Sequence, residues 1–399
     1  MEFPQQMASF RKGVAGAGGS WDMREELVPR RLTMVMWDNA FLLRHIPGGS
    51  FEDYEKVLEE TIERGYNTVR LDPMPQWVDL SRPETVLEWS DPKIPYMPWN
   101  WNSAVKGPVG RWLIEFMEKV LAKGMNYTLS AWWFNNTGIF TGGPALLGEL
   151  TDHRAGAELW IRMLREWKRR FGFEGLMYVD LANEVPYFFP GFLDRMKKET
   201  GYGWENGVFN EAQIGFIAKE LNEAIHLLME AFPELRFTSS IHGDVRWLDV
   251  PVEFDCLDVH FYADADPRWM WRTQFHLRMP ELFTTTHWHK DFSDRAMKTA
   301  RAISPMLRAR QREKVSQFAG WANRRGMPLT TTESWASWYM FDSPDLDWSW
   351  LLEWSEWSVD DALEFGMWGW TPHNYCQPQF ANWQEVRWHQ RLTQKFLRG

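Results

Sequence analysis

The chain has 399 residues, of which 44% are apolar and 25% are charged, a composition typical of a globular protein with a large core rather than of a disordered or fibrous chain. Its formal net charge of -10 disfavours a polyanionic partner such as nucleic acid. Two cysteines, Cys256 and Cys376, are too few for a disulfide framework, and Cys256 is expected to be a buried thiol because it lies in an apolar run.

Residues 1–31 form an N-terminal extension that the predicted fold does not include. This segment is polar and glycine-rich up to Gly19, and it lacks the basic and apolar regions of a signal peptide. Nowhere do 18 apolar residues follow one another, so no membrane span is expected. The sequence therefore predicts a cytoplasmic protein with no membrane partner, and it leaves the oligomeric state open.

From residue 32 onward, short apolar runs alternate with amphipathic helical patterns. Most of the runs are continuously apolar, as is typical of parallel strands that are covered on both faces. The first helix is expected to be capped by Ser50, with Asp53 three residues later completing a capping-box-like pair. The eight predicted strands are Leu32–Asp38, Asn67–Pro73, Met125–Trp133, Gly175–Glu184, Arg236–Gly243, Phe254–Tyr262, Pro328–Ser334 and Glu364–Asn374. The predicted helices are Ser50–Gly65, Val109–Lys123, His153–Arg170, Glu211–Ala231, Arg308–Arg325, Trp348–Leu363 and Trp383–Leu397.

This alternation predicts an α/β protein with one domain, a (β/α)8 TIM barrel that spans residues 32–399. Only about ten residues separate the fifth and sixth strands, so the helix between them should be short or missing. By contrast, the segment 263–308 after the sixth strand is long and rich in aromatic, histidine and arginine residues. Because it follows the C-terminal end of a strand, we expect it to lie over the active-site face as a lid or subsite wall.

Two carboxylates fall at the C-terminal ends of predicted strands, where the functional groups of a barrel converge. Glu184 ends the fourth strand and Glu333 ends the seventh, and these strands face each other across the mouth of a barrel. Hydrolysis of a glycoside requires such a pair, one carboxyl group to protonate the leaving oxygen and one to attack the anomeric carbon. The pair predicts a glycosidase, with a pKa raised towards neutrality for the acid and a low pKa for the nucleophile.

Side chains at neighbouring strand ends suggest the rest of a carbohydrate site. Arg70 ends the second strand, and its positive charge beside Glu333 would keep that carboxylate ionised. His260 and Tyr262 share one face of the sixth strand, where the hydroxyl could hold an oxygen of the nucleophile and the imidazole could line the sugar site. In the last strand, Trp368 and Trp370 are expected to share one face in the same way. Trp370, nearer the rim, is the predicted sugar platform, whereas Trp368 is expected to fill the core.

Tryptophan is unusually frequent, with 27 in the chain. The tryptophans in helical patterns are expected to fill the core, namely Trp112, Trp160 and Trp167. Aromatic faces stack well on the C–H faces of sugar rings, so tryptophans clustered in loops are candidates for substrate contact. These clusters are Trp99 with Trp101, and Trp269 with Trp271.

Taken together, these motifs resemble those of the clan A glycoside hydrolases, particularly the family 5 cellulases and the sugar-binding cellulase-like proteins. The resemblance spans about residues 32–390 and implies a retaining β-glycosidase, with Glu184 as the acid/base, Glu333 as the nucleophile and Asn183 bound to the sugar 2-hydroxyl. The matching motifs, in strand order, are Asn67 with Arg70, Asn183-Glu184, His260-Phe261-Tyr262, Glu333 and Trp370.

The chain departs from the clan pattern in two places. The usual Asn-Glu-Pro is here extended by one residue, because Val185 separates Glu184 from Pro186. The third strand ends at Trp133, where many relatives carry a histidine, so the sugar site is expected to differ from that of a cellulase. Trp133 and Asp38, the latter at the end of the first strand, complete the predicted substrate-binding residues.

The expected substrate is a small β-linked glycoside or short oligosaccharide, cleaved by exo action without a metal or other cofactor. His287 and His289 could in principle bind a metal, but a His-x-His pair in a loop is more often solvated or in contact with sugar. Two alternatives remain, a catalytically silent carbohydrate-binding barrel and a metal-dependent sugar isomerase. Sugar binding without turnover would indicate the first, and loss of activity with a chelator would indicate the second.

Overall fold

The computed structural model describes residues 27–89, 103–133, 150–187, 189–205, 207–275, 277, 286–336 and 342–399. Within these residues the strands are β1 (Leu32–Asp38), β2 (Thr68–Leu71), β3 (Leu87–Trp89), β4 (Val105–Gly107), β5 (Asn126–Leu129), β6 (Leu176–Asp180), β7 (Phe237–Thr238), β8 (Ile241–His242), β9 (Leu257–Tyr262), β10 (Leu329–Thr330), β11 (Ser334–Trp335) and β12 (Gly369–Trp370). The α-helices are α1 (Ala40–Leu43), α2 (Tyr54–Glu63), α3 (Val109–Ala122), α4 (His153–Phe171), α5 (Phe192–Thr200), α6 (Glu211–Ala231), α7 (Pro267–Thr273), α8 (His289–Arg325), α9 (Ser349–Glu364) and α10 (Val386–Arg398).

The parallel strands form a closed barrel of eight positions. The sheet runs in the order β11-β9-β10-β12-β1-β2-β5-β6-β7, and β8 pairs with β9. The fifth position is divided into β7 and β8, of which β7 pairs with β6 and β8 pairs with β9, and these pairings close the ring. The predicted barrel is therefore confirmed. An antiparallel hairpin of β3 and β4, inserted after the second barrel strand, was not predicted from the sequence.

The helices surround the barrel, and most of their predicted positions agree with the structure. The helix α6 has the predicted bounds, and its N-terminus carries a capping box in which the Asn210 and Gln213 side chains bind each other's backbone. Between the fifth and sixth barrel strands lies only the short 3-10 helix Val245–Asp249, as the spacing predicted. The cap predicted for α2 is wrong, because Asp53 is the N-cap residue and the Ser50 hydroxyl instead accepts a hydrogen bond from Arg44.

The largest disagreement concerns α8, which has 37 residues and begins at His289 rather than at Arg308. Its first half buries Phe292, Ala296 and Ala300, which recur every four residues and so lie on one side of the helix. Most of these buried residues are small, so the apolar pattern in the sequence is weak. No helix in the described parts of the chain is long and apolar enough to cross a membrane.

The N-terminal end of the barrel is filled by apolar side chains. Trp368 is buried there in a cluster that includes Leu27, Met34, Tyr178 and Cys256, so its expected role in the core is confirmed. Its indole nitrogen donates to the carbonyl of Pro29, which ties the segment before β1 to the barrel floor. Polar side chains replace this apolar packing toward the opposite end of the barrel, where the candidate site lies.

Candidate active site

Polar side chains from six positions of the barrel meet at the C-terminal ends of its strands. The second strand contributes Arg70, the turn after the fourth contributes Asn183 and Glu184, and the fifth contributes His242. The other members are His260 and Tyr262 on β9, Glu333 between β10 and β11, and Asn374 after β12. Apart from the partly exposed His242, all of these side chains are buried. The structure thus brings together six of the nine residues predicted for the site: Arg70, Asn183, Glu184, His260, Tyr262 and Glu333.

The two glutamates are joined by one hydroxyl group. The Tyr262 hydroxyl lies 2.9 Å from Glu184 Oε1 and 2.6 Å from Glu333 Oε2, so it can donate its proton to either carboxylate. One carboxylate oxygen of each glutamate lies within 4.8 Å of the other and of a ring nitrogen of His260. The two carboxylates therefore face one shared space, and both can reach the same bond of a ligand placed there.

Glu333 is surrounded by hydrogen-bond donors. Arg70 Nη1 donates to its Oε1 at 2.6 Å, and Asn374 Nδ2 donates to its Oε2 at 3.0 Å. The Asn374 side chain also accepts a hydrogen bond from the Ser334 backbone at 2.8 Å, which fixes the chain beside the glutamate. These contacts hold the carboxylate in one orientation.

Arg70 is the central cation of the site. Besides Glu333, its guanidinium contacts Asn183 Oδ1 and lies 3.5 Å from Asp38 and 3.9 Å from Asp180. Burial alone would lower the pKa of Arg70, but the charges of Asp38, Glu333 and Asp180 raise it well above its usual value. The guanidinium is therefore a fixed positive charge among buried carboxylates.

Glu184 lies between two histidines and has an unusual backbone conformation. Its Oε2 is 3.1 Å from His242 Nε2, and its Oε1 is 2.8 Å from His260 Nδ1. Its φ of 49° lies in the left-handed region, which residues with a side chain rarely adopt and which is often found at functional sites. Burial raises the pKa of Glu184, but His242 and His260 together lower it by a larger amount, so the pKa falls well below its usual value. The expectation of a raised pKa for Glu184 is therefore wrong for this structure.

The proton that Glu184 lacks is held by His260. The Thr332 hydroxyl donates to Asp258 at 2.8 Å, so it can only accept from His260 Nε2 at 3.2 Å. His260 Nδ1 faces a carboxylate of Glu184, and both ring nitrogens are thus donors, as in an imidazolium ion. Burial lowers the pKa of His260, but the charges of Glu333 and Glu184 raise it to about 9.

This charged histidine predicts a pH dependence of stability. Because the pKa of His260 rises from 6.5 to about 9 on folding, its contribution is complete below pH 6.5 and is lost as the pH rises through 9. We expect this contribution to be on the order of 3 kcal/mol. Urea unfolding measured below pH 6.5 and above about pH 9 should show a smaller fall in the free energy of unfolding for His260→Asn than for the wild type. His226→Asn, which changes an exposed histidine paired with Glu253, should retain the wild-type fall. An equally steep fall in all three proteins would contradict the prediction.

The structure does not bring Trp370 or Trp133 into the site. Gly369 faces the barrel interior, since a Cβ there would meet Thr330 and Met34, so its neighbour Trp370 points outward. The Trp370 indole is fully buried and donates to Ser358 at 2.8 Å. Trp133 also points outward and donates to the carbonyl of Leu181 at 2.7 Å. Both assignments as sugar-contacting residues are therefore wrong, because each ring packs in the layer between sheet and helices.

Asp38 lies at the site but behind its surface. It is fully buried, with Oδ2 accepting from Trp132 Nε1 at 2.8 Å and Oδ1 near Arg70. Burial raises the pKa of Asp38 to about 8, although the charge of Arg70 opposes the rise. Asp38 therefore contacts Arg70 and Trp132 rather than facing a ligand directly. Asn183 is better placed, because its buried Nδ2 has no hydrogen-bond acceptor among the described residues.

An open cleft of about 300 Å³ begins beside the glutamates, and it is lined by residues that include Tyr187, His242, His260, Tyr262 and Lys314. Tyr187 is 48% exposed, and its ring centroid lies 5.1 Å from that of His242. Of the tryptophans expected to stack on sugar, Trp269 is fully buried and Trp271 is 74% exposed, while Trp99 and Trp101 lie outside the described residues.

Two residues of the site, His242 and Asn374, were not predicted from the sequence. His242 ends the fifth barrel strand in the same way that Glu184 follows the fourth, so its position at a strand end could have identified it. Asn374 lies four residues beyond β12, and only the path of the following turn returns it to Glu333.

Within the described residues, Glu184, His260 and Glu333 form the one group with the spacing of a metal site. Its chemistry does not suit a divalent ion, because His260 is held in its protonated form and Arg70 already neutralises Glu333. Of the two histidines considered as metal ligands in the sequence, His289 is buried and His287 is exposed.

A family model and one solved structure agree with this architecture. The family model described as "Sugar-binding cellulase-like" matches residues 34–397. A candidate glycoside hydrolase from Parabacteroides distasonis is 25% identical, with a TM-score of 0.75 over 92% of this chain and 93% of that chain. A glycoside hydrolase family 5 mannosidase from Rhizomucor miehei is 12% identical, with a TM-score of 0.49 over 92% of this chain and 94% of that one. A comparison with curated protein sequences gives no match.

Proposed function

Because this chain belongs to the sugar-binding cellulase-like family, we propose that it is a retaining glycoside hydrolase that acts on β-linked glycosides or short oligosaccharides. One observation carries the proposal: an oxygen of Glu184 and an oxygen of Glu333 lie within 4.8 Å and share the Tyr262 hydroxyl. Retaining enzymes hold their two carboxyl groups about 5–5.5 Å apart, whereas inverting enzymes leave room for water at about 6.5–9.5 Å. The compact pair supports the retaining mechanism.

In this proposal Glu333 is the nucleophile. Arg70 and Asn374 hold its two oxygens, which orients the carboxylate for attack. One oxygen attacks the anomeric carbon as the bond to the leaving oxygen breaks, and a glycosyl-enzyme ester forms. The Tyr262 hydroxyl, which contacts both glutamates, can then turn its hydrogen bond towards Glu184.

The low pKa of Glu184 is compatible with acid catalysis if its proton arrives from His260. The charge of Glu333 is the largest influence that raises the pKa of His260, and it disappears when Glu333 forms the ester. The imidazolium then becomes a stronger acid, so its Nδ1 proton can pass to Glu184 and on to the leaving oxygen. In the second step Glu184 takes a proton from water as the water oxygen displaces Glu333 from the anomeric carbon. The restored charge of Glu333 raises the pKa of His260 again, and Glu184 passes the proton back to its Nδ1.

We also propose exo action on a small glycoside. The burial of both glutamates supports this, because Glu184 and Glu333 are only 4% and 2% exposed. A terminal sugar reaches such a pair more readily than the middle of a polymer does.

The principal alternative is a barrel that binds carbohydrate without cleaving it. Its support is the ionised state of Glu184, which by itself cannot protonate a leaving group. Calorimetry separates the two functions, since a binding protein would release heat with β-linked disaccharides and yield no monosaccharide.

The proposal is tested by a panel of nitrophenyl α- and β-glycosides and β-linked disaccharides. We expect the enzyme to hydrolyse β-glycosides only, and proton NMR during the first turnovers should show the β-anomer of the released sugar before mutarotation. If the α-anomer forms first, the enzyme is inverting and the nucleophile assignment fails. If no substrate is cleaved but disaccharides bind, the alternative function is supported.

A further inference from the structure

The cleft beside the glutamates continues beyond Tyr262 toward the helix α8. This second part has a volume of about 410 Å³ and shares Val245, Tyr262, Ala265 and Lys314 with the part that contains His242. The two parts thus form one continuous depression that runs from the catalytic pair to the surface of α8. A ligand larger than one sugar ring has room to occupy both.

Lys314 lies at the junction of the two parts and has no anionic partner. Among the described residues, no carboxylate oxygen lies within 4.0 Å of its Nζ. The nearest acidic groups are already engaged, because Asp244 is 2.5 Å from Arg246 and Asp266 is 2.6 Å from Arg310. The ammonium group is therefore a cation of the cleft whose charge no neighbour neutralises at contact distance.

Gln311 provides a second donor on the same face of α8. It precedes Lys314 by three residues, a spacing that places both side chains on one side of the helix. Gln311 is buried and lines the cleft, and its Nε2 has no hydrogen-bond acceptor among the described residues. A buried donor without an acceptor is costly, so the two side chains together form an incomplete binding site for an acceptor.

The protonation of Lys314 agrees with this geometry. Burial lowers its pKa, and the negative charges of Asp244 and Asp266 oppose that shift without cancelling it. A partly buried ammonium group of this kind is stabilised by an arriving anion, which restores the favourable interactions that were lost with water.

We infer that this cleft binds the sugar on the leaving-group side of the scissile bond, and that this sugar carries an anionic substituent held by Lys314 and Gln311. The inference rests on the proposed function, because Glu184 faces the leaving oxygen and its partner His242 lines the same cleft. A neutral sugar could satisfy the Gln311 amide but would leave the ammonium without an anion. A carboxylate, as in a uronic acid, or a phosphate ester supplies the acceptor oxygens and the charge.

The test uses three β-linked disaccharides that differ only at C6 of the reducing-end sugar, which carries a hydroxyl, a carboxylate or a phosphate. Dissociation constants are measured by calorimetry with the full chain, and hydrolysis of each disaccharide is followed by monosaccharide release. A charge-assisted contact should make the acidic ligand bind about tenfold more tightly than the neutral one, or more. Whichever acidic form gains more identifies the source of the anion.

The preference should disappear in Lys314→Met and persist in Lys298→Met, which removes an exposed lysine from the same helix. If wild type and Lys314→Met discriminate equally, or if the wild type shows no preference, the inference is overturned, and hydrolysis of the neutral disaccharide would still support the proposed function. If nothing is hydrolysed but binding prefers the acidic ligand through Lys314, the anion site stands and the proposed catalysis fails. Thermal unfolding shows whether each variant is folded. If Lys314→Met is not folded, Lys314→Gln is used in its place.

Discussion

Replacement of Glu333 by alanine is expected to lower kcat at least about ten-thousand-fold on any β-glycoside that the wild type hydrolyses. The reason is that no neighbouring group can replace it as the nucleophile. The second carboxylate, Glu184, is held between His242 and His260, and Asp38 is buried behind Arg70. Initial rates of nitrophenol release from the wild type and the variant measure the effect.

Two controls make this expectation specific. The exposed Glu84, which pairs with Arg111, can be changed to alanine with no expected change in kcat. Sodium azide should restore part of the activity of Glu333→Ala, because it can enter the space left by the carboxylate, and the product should be the α-glycosyl azide. Near-wild-type turnover in Glu333→Ala would refute the nucleophile assignment, and a β-azide product would show that attack comes from the other face.

Much of the site was predictable because a parallel barrel gathers the ends of its strands at one edge. That rule needs only the order of strands and the last polar residue of each, and both can be read from apolar runs. Arg70, Glu184 and Glu333 meet where this rule places them, and the pairing of His260 with Tyr262 follows from the alternation of side chains in β9.

The errors arise where local geometry departs from simple alternation. Trp368 and Trp370 were expected to share a face, but Gly369 faces the interior and turns Trp370 outward. The alternation of side chains along a strand does not hold there, because β12 contains only two residues with regular pairing. The protonation of Glu184 was also beyond the sequence, because it depends on two histidines from other strands that converge within 3.1 Å. The closure of the barrel sets such distances between side chains on different strands.

The start of α8 shows a different limit. Its first half packs through Ala296 and Ala300, and Pro305 interrupts the helical pattern in the sequence. Small buried residues give little hydrophobic contrast, so the segment resembled a long loop. This error matters for function, because the helix places the hydrogen-bond donors Gln311 and Lys314 along one side of the cleft.

Removal of the Arg70 charge by Arg70→Met should lower the free energy of unfolding by about 3–5 kcal/mol, the range found when one partner of a buried ion pair is lost. The guanidinium is buried and lies within 4.0 Å of Glu333, Asp38 and Asp180. Without it, the buried carboxylate of Glu333 has no cation to offset its loss of hydration, and Asp38 and Asp180 are harder to ionise.

The sign of the pH dependence tests this explanation. Because Arg70 lowers the pKa of Asp38 and of Asp180, its loss raises both pKa values in the folded state, so the folded variant binds more protons than the wild type. Acid should therefore reduce the difference in stability between the two proteins. Urea unfolding at about pH 5 and about pH 8 should therefore give a larger difference at the higher pH. Arg111→Met removes an exposed ion pair with Glu84 and should leave the free energy of unfolding nearly unchanged at both pH values. Glu333→Gln added to Arg70→Met should restore part of the loss, since the carboxylate left without its cation is replaced by an amide. A pH-independent loss with no such recovery would mean that Arg70 stabilises the barrel by packing, and its role as the counter-charge of the site would have to be abandoned.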